Sequence, residues 1–294
     1  MNITFRQLRL FLALAEAGSV TGAAKRIHVT QSTASDQLRE ITQNVGAPLY
    51  EVISKKVYLT DVGRELAQTA RRIVDEWECF EQHMDARRGL TRGRLKIAAV
   101  STAKYFVPRL VGEFCQLHPD IDVSIEILNR DGVVERLRDN RDEVYVMSMP
   151  PTDMDLADHI FMTNPLVLIS AESYRSGGDG RISRAELQAA RFILREQGSG
   201  TRMACDRWFA SQRLTPQVRM ELGSNEAIKE AVAGGLGLGI VSTHALPKTL
   251  KSAGLKLLHM KGLPIHSQWH LVYPRTRQLS YVARAFVDRL LNQP

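Results

Sequence analysis

Long apolar runs are missing from this chain. Nowhere do about 18 consecutive apolar residues occur, so no membrane-spanning helix is expected. The opening MNITFRQLRLFLALAEAG carries charges inside its apolar pattern and no cleavage-type site, which argues against a secretory leader. Cysteine is scarce. Cys79, Cys115 and Cys205 are odd in number, far apart and without metal-ligand spacing, the usage of a reducing cytoplasm. Catalytic signatures are thin as well. GLGLG at Gly235–Gly239 lacks the GxGxxG spacing and precedes a strand, QGSGT is not a nucleophile elbow, and no GKS or GKT phosphate loop occurs. His244, His259, His266 and His270 are scattered through the last third, the His266–His270 pair running into the strand QWHLVYP rather than lying on a helix, and Asp153 and Asp155 read as exposed acids of a loop. No enzyme, no cofactor and no metal is expected on these grounds.

What is present is a soluble, globular composition: 294 residues, 44% hydrophobic and 24% charged, enough for two or three compact units. The net charge of +7 is uneven. Residues 1–60 carry seven Lys/Arg against four Asp/Glu, residues 61–88 five against seven, and residues 89–294 twenty-seven against twenty-one. A modest basic N-terminal unit suffices for phosphate contact, and the basic excess of the larger part suits an anionic small molecule or a merely solvated surface.

The chain begins with Phe5, Leu8, Phe11, Leu12 and Ala15 at helical spacing, capped by Thr4 and ended by Gly18. Two short helices follow within GSVTGAAKRIHVTQSTASDQLREITQNV. The first buries Ala23, Ala24 and Ile27; the second starts at Thr30 and buries Ala34, Leu38 and Ile41. Its other face holds Gln31, Ser32, Thr33, Ser35, Asp36, Gln37 and Arg39, short donors and acceptors of the kind that reach base edges in a major groove. A plain helical hairpin with a polar face fits this stretch equally, and its surroundings must decide. LYEVISKKVYLT then reads as two strands with Lys55 and Lys56 at the tip, either a wing on a phosphate backbone or an ordinary charged hairpin. From Thr60 to Arg88 one long helix is expected, with Gly63 tolerated near its start. Leu66, Ala70, Ile73, Trp77, Phe80 and Met84 recur in it by fours and threes, a heptad seam for pairing with a second copy; the alternative is a helix lying on its own core.

After Gly89 and Gly93 the pattern changes. RLKIAAV, DVSIEIL and EVYVMSM read as strands alternating with helices, one of them opened by Ser101 and Thr102, which implies a parallel sheet with crossover helices. PLVLISA, RFILRE, VRMELG, GLGIVS and QWHLVYP are further strands, and YVARAFVDRLLNQ a terminal helix. Two α/β lobes are expected, with the chain crossing around Pro150–Pro165 and returning around His266. Strand ends facing helix starts carry Ser101, Thr102 and Lys104; Asn129 and Arg130; Ser199, Gly200, Thr201 and Arg202; and Ser224, Asn225 and Glu226. Helix capping accounts for each alone. Together they suit a polar or anionic ligand at the C-terminal ends of the strands, with Arg202 or Arg130 pairing to carboxylate or phosphate.

The order of helical hairpin, basic wing, heptad helix and two lobes resembles a LysR-type transcriptional regulator. AEAGSVTGAAKRIHVTQSTASDQLREITQNVGAPLYE carries the resemblance nearly residue by residue. VSTAKYFVPRLV, NRDGVVERLRDN, LREQGSGTR and GSNEAIKEAVAGGLGLGIVS are similar to regulators of Calvin-cycle carbon-fixation operons. The chain departs from the family pattern at Val20, Gly22, Ser32 and Val52, where Phe, Arg, Pro and Arg are usual; Val52 removes one phosphate contact.

The resemblance implies a winged helix-turn-helix over 1–60, a linker and dimerisation helix over 61–89, and an effector-binding domain over 93–294 of periplasmic-binding-protein-like fold. Its first lobe would take about 93–160 and 268–294, its second about 161–267. Gln31, Ser32, Thr33, Ser35, Gln37 and Arg39, with Lys55 and Lys56, would contact double-stranded DNA. Ser101, Thr102, Lys104, Asn129, Gln197, Ser199, Thr201, Arg202 and Asn225 would hold a small-molecule effector, of which phosphorylated anions are usual in the Calvin-cycle branch. A homodimer or homotetramer in contact with RNA polymerase is implied. Rival readings are a regulator answering to an aromatic or amino-acid-derived effector, and a solute-binding protein or enzyme with a helical appendage.

Overall fold

The computed structural model describes residues 2–54, 56–87, 92–175 and 180–292. Lys55, Gly89 and the Gly-rich turn at 176–179 lie outside them. The chain forms two compact units. One comprises Met1–Leu90, Asp139–Arg141 and Gln278–Tyr281; the other comprises Thr91–Arg138, Asp142–Arg277 and Val282–Pro294.

In the first unit, α1 (Phe5–Ala17) starts on a capping box. The Thr4 hydroxyl accepts from the Gln7 amide, and the Gln7 side chain accepts from the Thr4 amide at 2.8 Å. Gly18 ends the helix in the left-handed region, at φ 61°. Ser19 caps α2 (Val20–Arg26), and Thr30 caps α3 (Gln31–Val45). Leu10, Phe11 and Leu14 pack against Ala23, Ala24, Ala34, Leu38 and Ile41, all fully buried. Each such Leu, Ile or Phe contributes about 1.5–3 kcal/mol by leaving water. The small alanines let the three helices approach closely. A two-stranded wing follows, β1 (Tyr50–Ile53) antiparallel to β2 (Lys56–Leu59), and its Val57 amide donates to the Gly18 carbonyl at 2.9 Å.

The long helix α4 (Asp61–Arg87) is capped by Thr60, whose hydroxyl accepts from the Gly63 amide at 3.0 Å. Gly63 is required rather than tolerated: a Cβ there would stand 1.9 Å from the Leu49 carbonyl oxygen. The expected heptad seam splits. Ala70 is fully buried and Leu66 packs on the domain core beside Ala67 and Val74. Ile73, Trp77 and Phe80 are 45%, 50% and 52% exposed, and Met84 is half-buried. The first turns of α4 lie on their own core, while in the later turns Cys79 is buried and Ile73, Trp77 and Phe80 keep about half their surface in water. A helix of 3.6 residues per turn also carries a strict seven-residue repeat round its surface by about 20° per heptad.

The second unit holds two five-stranded sheets. The first orders as β4-β3-β5-β12-β6, from β3 (Gly93–Val100), β4 (Ile121–Leu128), β5 (Val144–Met147), β6 (Leu156–Thr163) and β12 (Gln268–Pro274). Only β4, β3 and β5 run parallel; β12 lies antiparallel to both β5 and β6. The parallel sheet expected from alternating strands and helices is therefore mixed, because the chain enters β12 from the other lobe. The expected crossing segment 150–165 is largely the strand β6. Helices α5 (Val107–Leu117), α6 (Arg130–Arg138) and α10 (Tyr281–Leu291) belong to this lobe, where the Phe114 and Phe286 rings meet edge to face at 5.3 Å.

The second sheet orders as β11-β7-β10-β8-β9, from β7 (Leu166–Ala171), β8 (Arg191–Arg195), β9 (Gln217–Leu222), β10 (Leu238–Ser242) and β11 (Leu255–Leu258). β11 has no counterpart in the sequence reading. β7 is antiparallel to β10 and β11. Besides the short α7 (Arg184–Ala189), the lobe contains α8 (Gly200–Ser211) and α9 (Asn225–Ala233), one on each face of the sheet. Strand alternation serves both: Phe192 and Leu194 join the cluster with Cys205, Trp208 and Phe209 of α8, while Ile193 joins Ile228 and Val232 of α9. The two crossings between the lobes run side by side. The Asn164 amide donates to the Ser267 carbonyl at 2.8 Å, and Leu166 and Ile265 exchange both backbone bonds.

Candidate DNA-reading face and ligand seam

On α3 the short polar side chains collect at the N-terminus, where backbone N–H groups are free and anions are favoured. Gln31, Ser32, Thr33 and Arg39 are exposed, and Lys56 is exposed on the wing. The Thr30 hydroxyl accepts from the Thr33 amide at 3.2 Å and pairs with the Ser32 and Thr33 hydroxyls at 3.0 and 2.8 Å. Thr21 of α2 donates to Gln31 Oε1 at 3.1 Å, which uses the amide oxygen and leaves the donating capacity of the exposed Gln31 side chain on its nitrogen. Ser35 is half-buried and its hydroxyl donates to the Gln31 carbonyl at 2.9 Å, which leaves it only acceptor capacity for an outside group. Gln37 is half-buried with Oε1 enclosed, so it stands further from the outer face than the sequence reading placed it. Val52, Ile53 and Tyr58 expose apolar surface on the wing.

Also in this unit, the exposed part of α4 forms a concavity of about 750 Å³ lined by Phe5, Thr69, Arg72, Ile73, Glu76, Trp77 and Phe80. The Trp77 ring lies 6.0 Å from Phe5 and 5.7 Å from Phe80. Phe5 was read from the sequence only as a core position of α1.

The second unit brings strand ends of its two lobes together. A 3-10 turn, Ser101–Tyr105, follows β3 of the first lobe directly. Arg195 ends β8 of the second lobe and is 2% exposed. Its Nη2 donates to Ser101 Oγ at 3.0 Å and its Nη1 to Thr102 Oγ1 at 3.4 Å, while Glu196 accepts from Nε and Nη2 at 2.7 and 2.8 Å. Asn225, in the first turn of α9, donates from Nδ2 to Thr102 Oγ1 at 3.1 Å. Thr102 thus accepts twice and keeps its proton for a further partner. Asn225 is 1% exposed, and its Oδ1 has no partner among the described residues. A buried acceptor left so costs about 1–3 kcal/mol.

Beside this cluster, Lys104 donates to Glu226 Oε2 at 2.9 Å and Tyr105 to Glu226 Oε1 at 2.6 Å. Burial opposes ionisation of Glu226, but the hydrogen bonds from Tyr105 and Lys104 prevail and hold its carboxyl at about 2. Burial, then the bond to Glu226, raises the Tyr105 phenol above its ordinary range. On the far side the Asp131 amide donates to the Gly198 carbonyl at 3.2 Å, and a Cβ on Gly200 would stand 2.8 Å from Ser148 Oγ.

Of the residues expected to line the seam, Ser101, Thr102, Lys104 and Asn225 therefore converge. Asn129 caps α6 by accepting from the Gly132 amide, Ser199 caps α8, Thr201 is buried and Gln197 is exposed. Arg202, expected to meet an anion, is directed instead to Asp206, Glu221 and the Arg195 carbonyl. Arg130 is engaged with the Met149 carbonyl at 2.6 Å. Beside Lys104, the seam holds a second cation, Arg195, which the sequence reading passed over. Its signal was an arginine directly following the apolar run Phe192–Ile193–Leu194 at a strand end. Tyr105 offered no signal, because its role depends on a residue 121 positions away.

Both units match known families. Residues 5–64 match the bacterial regulatory helix-turn-helix protein, lysR family, and residues 88–294 match the LysR substrate binding domain. The chain is 40% identical over 289 residues to the HTH-type transcriptional activator CmpR of Synechocystis sp., covering 98% of this chain and 95% of that protein. It is 39% identical to the RuBisCO operon transcriptional regulator of Acidithiobacillus ferrooxidans, covering 98% and 94%. Among solved structures, the CcmR regulatory domain of Synechocystis PCC6803 in complex with 2-PG aligns with a TM-score of 0.65 at 40% identity, over 68% of this chain and 96% of that one. No described helix is long and apolar enough to cross a membrane. The chain belongs to the LysR family of DNA-binding transcription regulators, joining its helix-turn-helix to an effector-binding α/β region.

Proposed function

We propose that this regulator acts in the cytoplasm, by binding alone and without catalysis, and that it answers to a small anionic, phosphorylated metabolite held in the seam between its two α/β lobes. The observation that carries this reading is the convergence of Arg195, Ser101, Thr102 and Asn225 from both lobes on one place. A buried guanidinium and a hydroxyl with a free proton suit phosphate or carboxylate, and the unpartnered Asn225 Oδ1 suits a donor on the same ligand. The CcmR regulatory domain in complex with 2-PG, at 40% identity, supports the ligand class. The relative regulating a RuBisCO operon supports a role in carbon-fixation genes.

DNA is read by Gln31, Ser32, Thr33 and Arg39 with Lys56 on the wing, while Ser35 and Gln37 contribute less. Two copies pair through Ile73, Trp77 and Phe80 into a homodimer, and dimers into a tetramer. The ligand acts by preferring one arrangement of the lobes, since an equal preference would shift nothing. The paired crossings at Asn164–Leu166 and Ile265–Ser267 are where the lobes turn, and the turn changes DNA bending and contact with RNA polymerase.

A mobility-shift titration on DNA upstream of the chain's own gene, with and without 2-phosphoglycolate, tests the reading. A specific complex whose affinity or mobility changes with the ligand is expected. Absence of a ligand effect, with thermal stabilisation by an aromatic or amino-acid derivative instead, overturns the ligand assignment.

A further inference from the structure

The Glu226 carboxylate is bound as a ligand would be. Each of its oxygens takes one donor, Tyr105 at 2.6 Å and Lys104 at 2.9 Å, both from the opposite lobe. A second ammonium, Lys229, lies 5.6 Å from the Tyr105 ring centroid, against 5.5 Å for Lys104. Lys229 donates to the Ala245 carbonyl and makes no ion pair among the described residues. One cation and a phenol thus hold a single carboxylate, with a second cation near the same phenol ring. The pair is accessible: the Lys104 and Glu226 side chains are 37% and 47% exposed. The ion pairs of Arg202 and Arg136 differ, since each has a side chain at most 9% exposed and stays within one lobe.

We propose that Glu226 is an internal stand-in for one anionic end of the ligand: without ligand it fills the place between Lys104 and Tyr105, and the ligand's own phosphate or carboxylate displaces it. This rests on the reading of the seam as the effector site. The other anionic end meets Arg195, Ser101 and Thr102. Both sets of donors on the first lobe come from one 3-10 turn, in which each residue advances about 2 Å, so Thr102 and Tyr105 are roughly 6 Å apart along it. The ligand class is therefore a short molecule with two anionic groups at about that spacing. Displacement breaks a direct tie between the lobes and replaces it with one through the ligand. An exposed ion pair is weak enough in water to be exchanged, and a phosphate dianion brings more charge and more acceptor oxygens than one carboxylate.

Calorimetric titration of the full-length protein tests this, with 2-phosphoglycolate and inorganic phosphate as probes at fixed ionic strength. Glu226→Gln should bind 2-phosphoglycolate about tenfold tighter than wild type, some 1.4 kcal/mol. The gain should vanish in a Lys104→Met background, as a coupled pair requires. Glu226→Ala guards against an effect peculiar to the amide and should show the same gain. Unchanged or weaker binding by both Glu226 variants overturns the stand-in, as does an equal gain with Lys104→Met, which marks a long-range charge effect. Loss of binding in Arg195→Ala with no gain at Glu226 leaves the seam reading in place and sinks the stand-in alone. Binding that no variant alters removes both.

Discussion

Arg195 reaches from the last position of β8 to the Ser101 hydroxyl of the other lobe, 3.0 Å from Nη2 to Oγ. Its guanidinium also holds Glu196, and its carbonyl accepts from Arg202 at 3.0 Å. One buried cation thus connects a strand end, a helix start and the opposite lobe.

Removing that cation strands its partners. Arg195→Ala is expected to destabilise the C-terminal unit by about 3 kcal/mol, the range for breaking a buried pair from one side. Arg195→Lys keeps the charge but not the fork that reaches Ser101 and Glu196 together, and should retain more stability than ligand affinity. Urea unfolding and calorimetric titration of the two variants separate these effects.

Arg39 stands exposed on the polar face of α3. If it meets a phosphate, Arg39→Ala weakens specific and non-specific DNA alike and lowers the slope of log affinity against log salt by about 0.9. Gln31→Ala should instead weaken the specific site selectively, because an uncharged amide whose oxygen is taken by Thr21 keeps N–H donors for a base edge and no charge for phosphate. Mobility shifts over a salt series tell the two apart.

Ile73 and Phe80 expose apolar surface beside Trp77 and Phe5. Ile73→Glu or Phe80→Glu places a charge where a second copy would pack, costing about 2 kcal/mol or more at such a contact. Sedimentation should show dimers dissociating at concentrations where wild type does not. Thermal unfolding of the helix-turn-helix should not change, since neither side chain lies in its core.

Gly63→Ala forces a Cβ to within 1.9 Å of the Leu49 carbonyl, a backbone atom that cannot swing away. A loss of several kcal/mol in the N-terminal unit is expected, with DNA binding lost as well. Exposed Gly112 of α5 has nothing within 4 Å of an added Cβ. Gly112→Ala should therefore gain about 0.5–1 kcal/mol from helix propensity. Differential scanning calorimetry distinguishes the pair.

Glu226 gives the pH dependence. Its carboxyl sits at about 2 in the folded chain against an ordinary value of 4.5. A depressed carboxyl pKa contributes stability that is present above the ordinary value and lost as pH falls toward the folded one. The stability difference between wild type and Glu226→Gln should therefore be constant from pH 7 to pH 5 and shrink between about 4.5 and 2. Chemical unfolding across that range reads it, and a difference that grows on acidification contradicts the assignment.

Much of this protein is local and therefore legible without coordinates. The caps at Thr4, Thr30 and Thr60, the stripes Ala34–Leu38–Ile41 and Leu8–Phe11–Leu12, and the strand-helix alternation after Gly93 follow from residues within a few positions of one another. The helix-turn-helix, the wing and the two α/β lobes are recoverable from them. The hydroxyls Ser101 and Thr102 and the amide of Asn225 could be named because helix starts after strand ends form a repeating local pattern.

Only tertiary structure decided which of those groups meet. Hydrogen bonds between residues 93 to 123 positions apart unite Arg195, Ser101, Thr102, Asn225, Lys104, Tyr105 and Glu226. Spacing along the chain carries no trace of such pairings. The same reason separates Arg195 from Arg202: each meets a nearby carboxylate, but only the Arg195 guanidinium also reaches hydroxyls of the facing lobe. It also divides α4, where one heptad pattern serves a core at Leu66 and Ala70 and an open face at Ile73, Trp77 and Phe80. Periodicity sets which side chains share a face of a helix; what that face touches depends on chain brought in from elsewhere.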